Sequence, residues 1–229
     1  AGGISLKPGK GMEEMKFDMC GAAAALGAMR NICHLKPAVN VICVVPSSEN
    51  MPSSTAVKPG DIVKSMSGKT IEIYNTDAEG RLILCDALHY TVEKYKPDMM
   101  VDLATLTGAC IVALGHHYAG LMTENDEMAE ALTVAGDKVH ERLWRLPLND
   151  EMREMMKGKD ADLCNIGPPY AGTVTAGAFL SNFVGETKWA HLDIAGVAWG
   201  MKGASYLNDK LGSGFGVRLL TRWILNESE

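Results

Sequence analysis

Two carboxylates and a guanidinium group occur within five residues in the segment Asn75–Arg81, which has the sequence NTDAEGR. Asp77 and Glu79 are separated by one residue, so in an extended backbone their side chains would point the same way. Both could then bind one hard cation or a pair of cations, because carboxylate oxygens are suitable ligands for Mg²⁺, Mn²⁺ and Zn²⁺. The segment therefore predicts metal-assisted hydrolysis.

Arg81 is expected at the start of a helix. The residues after Gly80 are apolar at helical spacing, and Gly80 would let the chain turn sharply before them. A guanidinium group at this position can hold an anion together with the helix N-terminus. The alternative is that Asp77 and Glu79 are only the acidic first turn of this helix, with Arg81 in a surface ion pair.

Lys7 and Asp18 lie in two further segments that could take part. Lys7 is in GGISLKPG, a loop bounded by Gly and Pro, and Asp18 is in KFDMCGAAAALG, just before a helix of small residues. Alone, Lys7 would be a solvated lysine. Asp18 alone would be a helix N-cap or an acid in the first turn of the helix. A two-metal site, however, needs several carboxylates and a cation that stabilises charge on the substrate. Together with Asp77 and Glu79, these residues supply all of those types.

The sequence predicts alternating strands and helices, and these elements position the polar segments. Apolar runs with β-branched residues predict strands at Val39–Val45, Thr70–Tyr74, Met99–Leu103, Tyr118–Met122 and Trp189–Ile194. Helical patterns occupy Gly21–Arg30, Leu82–Tyr95, Glu127–Leu143, Asp150–Lys157, Thr175–Val184 and Gly216–Leu225. This alternation favours an α/β domain with a mostly parallel sheet. In such sheets, sites form at loops beyond the carboxyl ends of strands, here the loops after Tyr74 and Leu103.

The composition narrows the class of protein. At 229 residues the chain fits one large domain or two small ones. A net charge of −6 without a basic block argues against nucleic acid or an anionic membrane as the main partner. Six scattered cysteines without a C-x-x-C pair favour a reducing, cytoplasmic setting. The apolar stretches are broken by charge before they reach a membrane-spanning length, so no membrane partner is expected.

These segments resemble the leucyl aminopeptidase family, the di-metal cytosol aminopeptidases, and most of all its bacterial members. Further segments look like family signatures and occur in family order: DLATLTGAC at 102–110, ADLCNIG at 161–167, AHLDIAG at 190–196 and GFGVRLLTRWIL at 214–225. The resemblance covers essentially the whole chain. It implies a three-layer αβα fold with a mixed, mostly parallel central sheet.

The resemblance also implies a role for each matching polar residue. Asp18 and Asp77 are the implied metal-ligand aspartates, and Glu79 is the implied bridging glutamate. Lys7 and Arg81 are the implied catalytic residues, with Arg81 holding a bicarbonate ion. The implied cofactors are this bicarbonate and two divalent metal ions, Mn²⁺ or Zn²⁺, with Mg²⁺ as a third option.

The loop after the third predicted strand resembles the substrate-lining loop of the family. The residues concerned are Thr105, Leu106, Thr107 and Gly108. Met15 and Met19 are further candidates for lining the first substrate pocket, with ordinary core packing as an equal alternative.

The activity implied by the resemblance is hydrolysis of N-terminal amino acids, preferably leucine, from peptides by a di-metal-activated water. The implied assembly is a homo-hexamer. The remaining metal ligands of the family, a lysine and an aspartate, lie upstream of the position of Ala1. We therefore expect residues 1–229 to be the C-terminal catalytic domain without its N-terminal part.

Other readings of the sequence stay open. The chain could be a catalytically incomplete oligomeric scaffold or a DNA-binding accessory protein, although neither would need the polar set described above. It could also be another di-metal hydrolase, such as a phosphatase. The pairs His116-His117 and His191-x-Asp193 look metal-like, but histidines outside an H-E-x-x-H motif are more often solvated or hydrogen-bonded locally.

Overall fold

The computed structural model describes residues 3–202, 206–208 and 210–228. The chain divides into two compact units. The first comprises Ala1–Glu13, Pro46–Met99 and Leu148–Thr187, and the second comprises Glu14–Val45, Met100–Pro147 and Lys188–Glu229. Each unit has a β-sheet of its own.

The strands and helices follow one another in mixed order along the chain. The strands are β1 (Ile62–Lys64), β2 (Thr70–Glu72), β3 (Met99–Ala104), β4 (Ala119–Met122), β5 (Leu143–Arg145), β6 (Leu163–Cys164) and β7 (Lys188–Asp193). The helices are α1 (Cys20–Leu35), α2 (Gly80–Tyr95), α3 (Gly108–Leu114), α4 (Asp126–Lys138), α5 (Asp150–Glu154), α6 (Gly172–Ser181) and α7 (Val217–Asn226), and a 3₁₀-helix covers Met12–Met19.

The first unit is built on a three-stranded mixed sheet in the order β1-β2-β6. Strand β2 is antiparallel to β1 and parallel to β6. Helix α6 packs against α2 and α5. Its sequence GTVTAGAFLS has no charged residue, which is typical of a buried helix, and residues 173–180 are all buried. Phe179, near the C-terminal end of this helix, is fully buried, as are Ile71 of β2 and Ile73 directly after it.

The second unit is built on a four-stranded mixed sheet in the order β3-β7-β4-β5. Strand β4 is parallel to β5 and antiparallel to β7. Helix α7 packs against α1 and α4, and α4 also packs against β5 and β7. The core of the unit contains Leu121 of β4, Leu132 of α4, Leu192 of β7 and Leu219 of α7, all fully buried.

The predicted α/β class, with helices packed on mixed sheets, is confirmed. Four of the five predicted strands are present with bounds shifted by a few residues. The strand predicted at Val39–Val45 is wrong: residues 39–45, all in the described part of the chain, belong to no strand. Each of these residues is half-buried or exposed. A β-branched run forms a strand only where a neighbouring strand and a buried face are available.

The helix predicted at Glu127–Leu143 ends early, at Lys138. His140 has a left-handed backbone with φ 59°, and Gly136 packs so closely on the returning chain that a Cβ there would lie 2.4 Å from Glu141 O. The chain thus reverses and enters β5. The short elements β1, β5, β6 and α3 were not predicted, because they have too few residues for a periodic pattern.

In the part of the chain that the structure describes, no helix combines the length and the apolar character needed to cross a membrane.

Candidate active site

The segment NTDAEGR joins β2 to α2 in the first unit, so the predicted change from strand to helix is confirmed. It forms a tight turn, however, and not extended backbone. Asp77 N donates to Asn75 Oδ1 at 2.8 Å, and Ala78 N donates to Asn75 O at 3.2 Å. Glu79 already has helical angles, φ −88° and ψ −31°. The expectation that Asp77 and Glu79 project from an extended chain is therefore wrong, because the Asn75 side chain closes a turn at this point.

Asn165, directly after β6, stabilises this turn through four side-chain hydrogen bonds. Its Oδ1 accepts from Tyr74 N at 2.9 Å and from Asn75 N at 3.3 Å. Its Nδ2 donates to Asn75 O at 2.6 Å and to Ala78 O at 3.3 Å. Asn165 is fully buried, and it was not predicted as a site residue. It lies in the segment ADLCNIG, but a single asparagine there has no local pattern that would reveal contacts 90 residues away.

The loop that carries Lys7 is attached to the same turn. Ser5 N donates to Thr76 Oγ1 at 3.0 Å, and Thr76 N donates to Ser5 Oγ at 3.1 Å. Lys7 Nζ forms an ion pair with Asp77 Oδ1, and the two side chains are 34% and 33% exposed. The structure therefore brings Lys7 and Asp77 together. The alternative of a fully solvated Lys7 is wrong.

Gly3 is needed for this attachment. It has φ +65°, and a Cβ there would lie 2.2 Å from Val57 O. A side chain at this position would push the loop away from its support, so the glycine allows the close approach.

Glu79 and Arg81 are the remaining predicted site residues in the first unit. Glu79 Oε1 accepts from Asn50 Nδ2 at 2.8 Å. Arg81 is the second residue of α2 and is only 6% exposed, so the alternative of a surface ion pair is wrong for it. Burial raises the pKa of the Cys164 thiol, and the nearby charge of Arg81 partly offsets this rise. A buried guanidinium at a helix N-terminus creates a positive potential that favours an anion.

Asp18 lies in the second unit, at the end of the 3₁₀-helix that leads into α1. Met19 occupies the N-cap of α1, and the first turn of α1 contains no acidic residue, so the alternative of an N-cap or first-turn acid is wrong for Asp18. The Asp18 side chain instead accepts from Thr105 Oγ1, with 2.6 Å between Oγ1 and Oδ1. The structure thus connects a predicted metal ligand to the first residue of the predicted substrate loop.

The loop Thr105–Gly108 runs from the end of β3 into α3. Thr107 is buried and caps α3, since its Oγ1 accepts from Cys110 N at 3.1 Å. Thr105 and Leu106 are half-buried, and Gly108 is exposed. The loop is held by Asp193, whose carboxylate accepts from Leu106 N and from Thr107. Burial raises the pKa of Asp193 above its usual range, against the opposing effects of His191 and of these hydrogen bonds.

The methionines proposed to line a pocket lie on the same 3₁₀-helix as Asp18. Met15 is half-buried and Met19 is 58% exposed, so ordinary core packing is excluded for Met19. The neighbouring Phe17 ring stacks on Trp199, with 5.8 Å between centroids and 15° between planes. A lining role for Met15 stays a prediction.

Two of the three histidines that looked metal-like, His116 and His191, make hydrogen bonds within the protein, and His117 is exposed. His191 Nδ1 lies 2.6 Å from Asp102 Oδ1, and Asp102 Oδ2 accepts from Trp189 Nε1 at 2.8 Å. His116 Nδ1 lies 2.6 Å from Gly196 O. The expectation that these rings serve local hydrogen bonding is confirmed for both.

The donor set has the chemical character that divalent metal ions require. Asp77 and Glu79 in the first unit and Asp18 in the second provide hard carboxylate oxygens. Asp77 forms an ion pair with the Lys7 ammonium group, so a lysine lies directly beside one of these carboxylates. Among the residues with described positions, no three His, Cys, Asp or Glu side chains form a metal-holding group. The assignment of Asp18, Asp77 and Glu79 as ligands stays a prediction.

An α/β fold with carboxylate side chains in the turn after a strand and a buried arginine at the start of the next helix is typical of an α/β enzyme. The cytosol aminopeptidase family, catalytic domain, matches residues 1–221. The chain belongs to this family.

Individual relatives give the same result. The chain is 54% identical over 228 residues to a protein of Pseudomonas fluorescens named "Probable cytosol aminopeptidase", covering 100% of the chain and 45% of that relative. Proteins of the same name from Hydrogenovibrio crunogenus and Chromohalobacter salexigens are 57% and 55% identical, over 86% and 99% of the chain and 40% and 43% of the relatives. The chain thus spans less than half the length of these curated relatives.

Proposed function

We propose that this chain carries the catalytic machinery of a metal-dependent aminopeptidase that removes N-terminal amino acids, preferably leucine, from peptides. The observation that carries the proposal is the Lys7–Asp77 ion pair on a turn that Asn165 supports, with Arg81 buried at the next helix. Membership of the cytosol aminopeptidase family supports a peptidase. The names of the relatives support an exopeptidase that acts at the N-terminus.

Asp18, Asp77 and Glu79 would hold two divalent ions, Mn²⁺ or Zn²⁺, with Mg²⁺ as a third option. When bound, such ions lower the pKa of water toward neutrality and polarise a carbonyl group. The carboxylates of this chain would fix the positions of these charges relative to the peptide. Thr105, Leu106, Thr107 and Gly108 would line the bound substrate, with Met15 at its border.

Lys7 and Arg81 would act on the substrate and on the proton. The Lys7 ammonium group would donate to the oxygen of the scissile carbonyl, where negative charge develops in the transition state. One such donor is typically worth ~10²–10³ in kcat. The Arg81 guanidinium would hold a bicarbonate ion, which has the chemistry of a general base.

The same proposal includes peptide substrates, assembly as a homo-hexamer and a cytoplasmic location. The resemblance to the family supports the first two, and the word "cytosol" in the names of the relatives supports the third. The assignment of residues 1–229 as one catalytic domain is supported by the family match over residues 1–221.

The test is release of leucine from a leucyl amide by the protein expressed from its native gene, first with added Mn²⁺ and then with a chelator. We expect turnover that the chelator abolishes and Mn²⁺ restores. Hydrolysis of a phosphate ester without amide turnover would instead identify another di-metal hydrolase. Salt-dependent DNA binding without either activity would favour the accessory-protein alternative.

A further inference from the structure

We propose that Asp193 is a positioning residue which acts through Thr105 to orient the Asp18 carboxylate for metal binding. The proposal rests on the function proposed above, since it takes Asp18 as a metal ligand. It assigns Thr105 a role in the metal site, in addition to the substrate contact expected from the sequence. Every contact that carries it lies within the second unit.

Asp193 is the last residue of β7 and is fully buried, so its carboxylate needs several hydrogen-bond donors. Oδ1 accepts from Leu106 N at 3.2 Å, from Thr107 N at 3.4 Å and from Ala195 N at 3.2 Å. Oδ2 accepts from Thr107 Oγ1 at 2.6 Å. Hydrogen bonds to a carboxylate are stronger than those between neutral groups, so this set holds the backbone of residues 106 and 107 firmly.

Thr105 transmits this rigidity to Asp18. Its Oγ1 lies 2.6 Å from Asp18 Oδ1 and 2.9 Å from Asp18 O, and the one hydroxyl proton favours the nearer, charged oxygen. The Asp18 side chain is exposed and would otherwise sample several rotamers. With Oδ1 engaged by Thr105, the carboxylate keeps one orientation. Among the described contacts Oδ2 accepts no hydrogen bond, so it is available to a metal ion.

The backbone on both sides of this hydrogen bond is held at close range. Gly21, in the first turn of α1, packs on the end of β3 so tightly that a Cβ would lie 2.3 Å from Leu103 O. The two chain segments that carry Asp18 and Thr105 are therefore kept at a constant separation. Groups that orient a metal ligand in this way typically contribute ~10–100-fold to metal affinity.

The first experiment compares Thr105→Val, which removes the hydroxyl at nearly constant shape, with Thr105→Ser, which keeps it. Mn²⁺ affinity is measured by isothermal titration calorimetry on the protein expressed from its native gene. We expect Mn²⁺ binding ~10–100-fold weaker in Thr105→Val and close to wild type in Thr105→Ser. Thr133→Val is the matched control, because Thr133 Oγ1 bonds only to Ala129 O within α4 among the described contacts.

A Thr105→Val protein with wild-type Mn²⁺ affinity and only a raised KM would overturn the proposal, because Thr105 would then contact the substrate alone. If the wild type itself neither bound Mn²⁺ nor released leucine, the proposed function would fail instead. The two failures are therefore distinguishable.

The second experiment tests the connection to Asp193 with Asp193→Asn and, in case that variant does not fold, with Thr107→Val. We expect each change to weaken Mn²⁺ binding, as Thr105→Val does. Because the residues act in series, either change combined with Thr105→Val should add little to the loss from Thr105→Val alone. Losses that multiply in the double variant would show independent action and overturn the assignment of Asp193.

Discussion

Ser5 and Thr76 exchange two hydrogen bonds although they are 71 positions apart, at 3.0 Å and 3.1 Å between nitrogen and hydroxyl oxygen. Thr76 is buried, and it directly precedes Asp77. Two residues beyond Ser5, Lys7 reaches the Asp77 carboxylate. The reciprocal pair therefore fixes the distance between a lysine and a carboxylate that local sequence does not connect.

Ser5→Ala removes the hydroxyl oxygen that accepts from the N–H group of Thr76, a buried residue. We expect a loss of about 1 kcal/mol in the free energy of unfolding, measured by urea denaturation. We also expect a lower kcat for leucyl amide, because the Lys7 loop loses its attachment. The control is Ser53→Ala, an exposed serine of the same unit whose Oγ contacts Thr55. An unchanged kcat in Ser5→Ala would contradict the attachment role.

Lys7→Ala should lower kcat by ~10²–10³, because it removes one donor to the developing charge on the substrate. Metal content, measured by elemental analysis, should stay close to wild type. Lys10→Ala is the control, since Lys10 is an exposed lysine three residues along the chain. Wild-type turnover in Lys7→Ala would remove Lys7 from the mechanism.

Asp77→Ala should lose bound metal, because it removes one of the carboxylates proposed as metal ligands. The measurement is the metal-to-protein ratio after gel filtration, by elemental analysis. The matched control is Asp98→Ala, which removes an exposed aspartate of the same unit. Full metal occupancy in Asp77→Ala would be incompatible with the assignment of Asp77 as a ligand.

Glu72 makes stability depend on pH in the acid range. Burial alone would raise its pKa, but donation from Asp160 N, Tyr74 Oη and Lys159 N outweighs this effect and lowers the pKa. Because the pKa is lower in the folded state, Glu72 stabilises the fold above its ordinary pKa, and this contribution is lost as pH falls through the lowered value.

Glu72→Gln should therefore flatten the acid side of the stability profile, measured as urea midpoints from neutral pH down to about pH 3, below the ordinary glutamate pKa. The control is Glu93→Gln, an exposed glutamate on α2. A Glu72→Gln profile as steep as that of the control would show that Glu72 does not contribute to the pH dependence.

The periodic elements could be predicted from the sequence, whereas their ends and partners could not. Helix α2 and strand β3 lie close to their predicted positions, because apolar spacing and β-branched content are local properties. The prediction of a strand at Val39–Val45 was wrong, because a local residue pattern does not show whether a partner strand is present. The expected extended chain at Asp77 failed because the Asn75 side chain closes a turn.

The sequence by itself determined the types of the reactive groups and their place between a strand and a helix, because residue identity and local propensity need no tertiary contact. The tertiary structure alone decided that Lys7 reaches Asp77, that Arg81 is buried, and that Asn165 and Asp193 hold the two loops. These contacts join residues about 70 to 90 positions apart. Hydrogen bonds at such separations depend on which elements pack together, and burial depends on everything packed around a side chain.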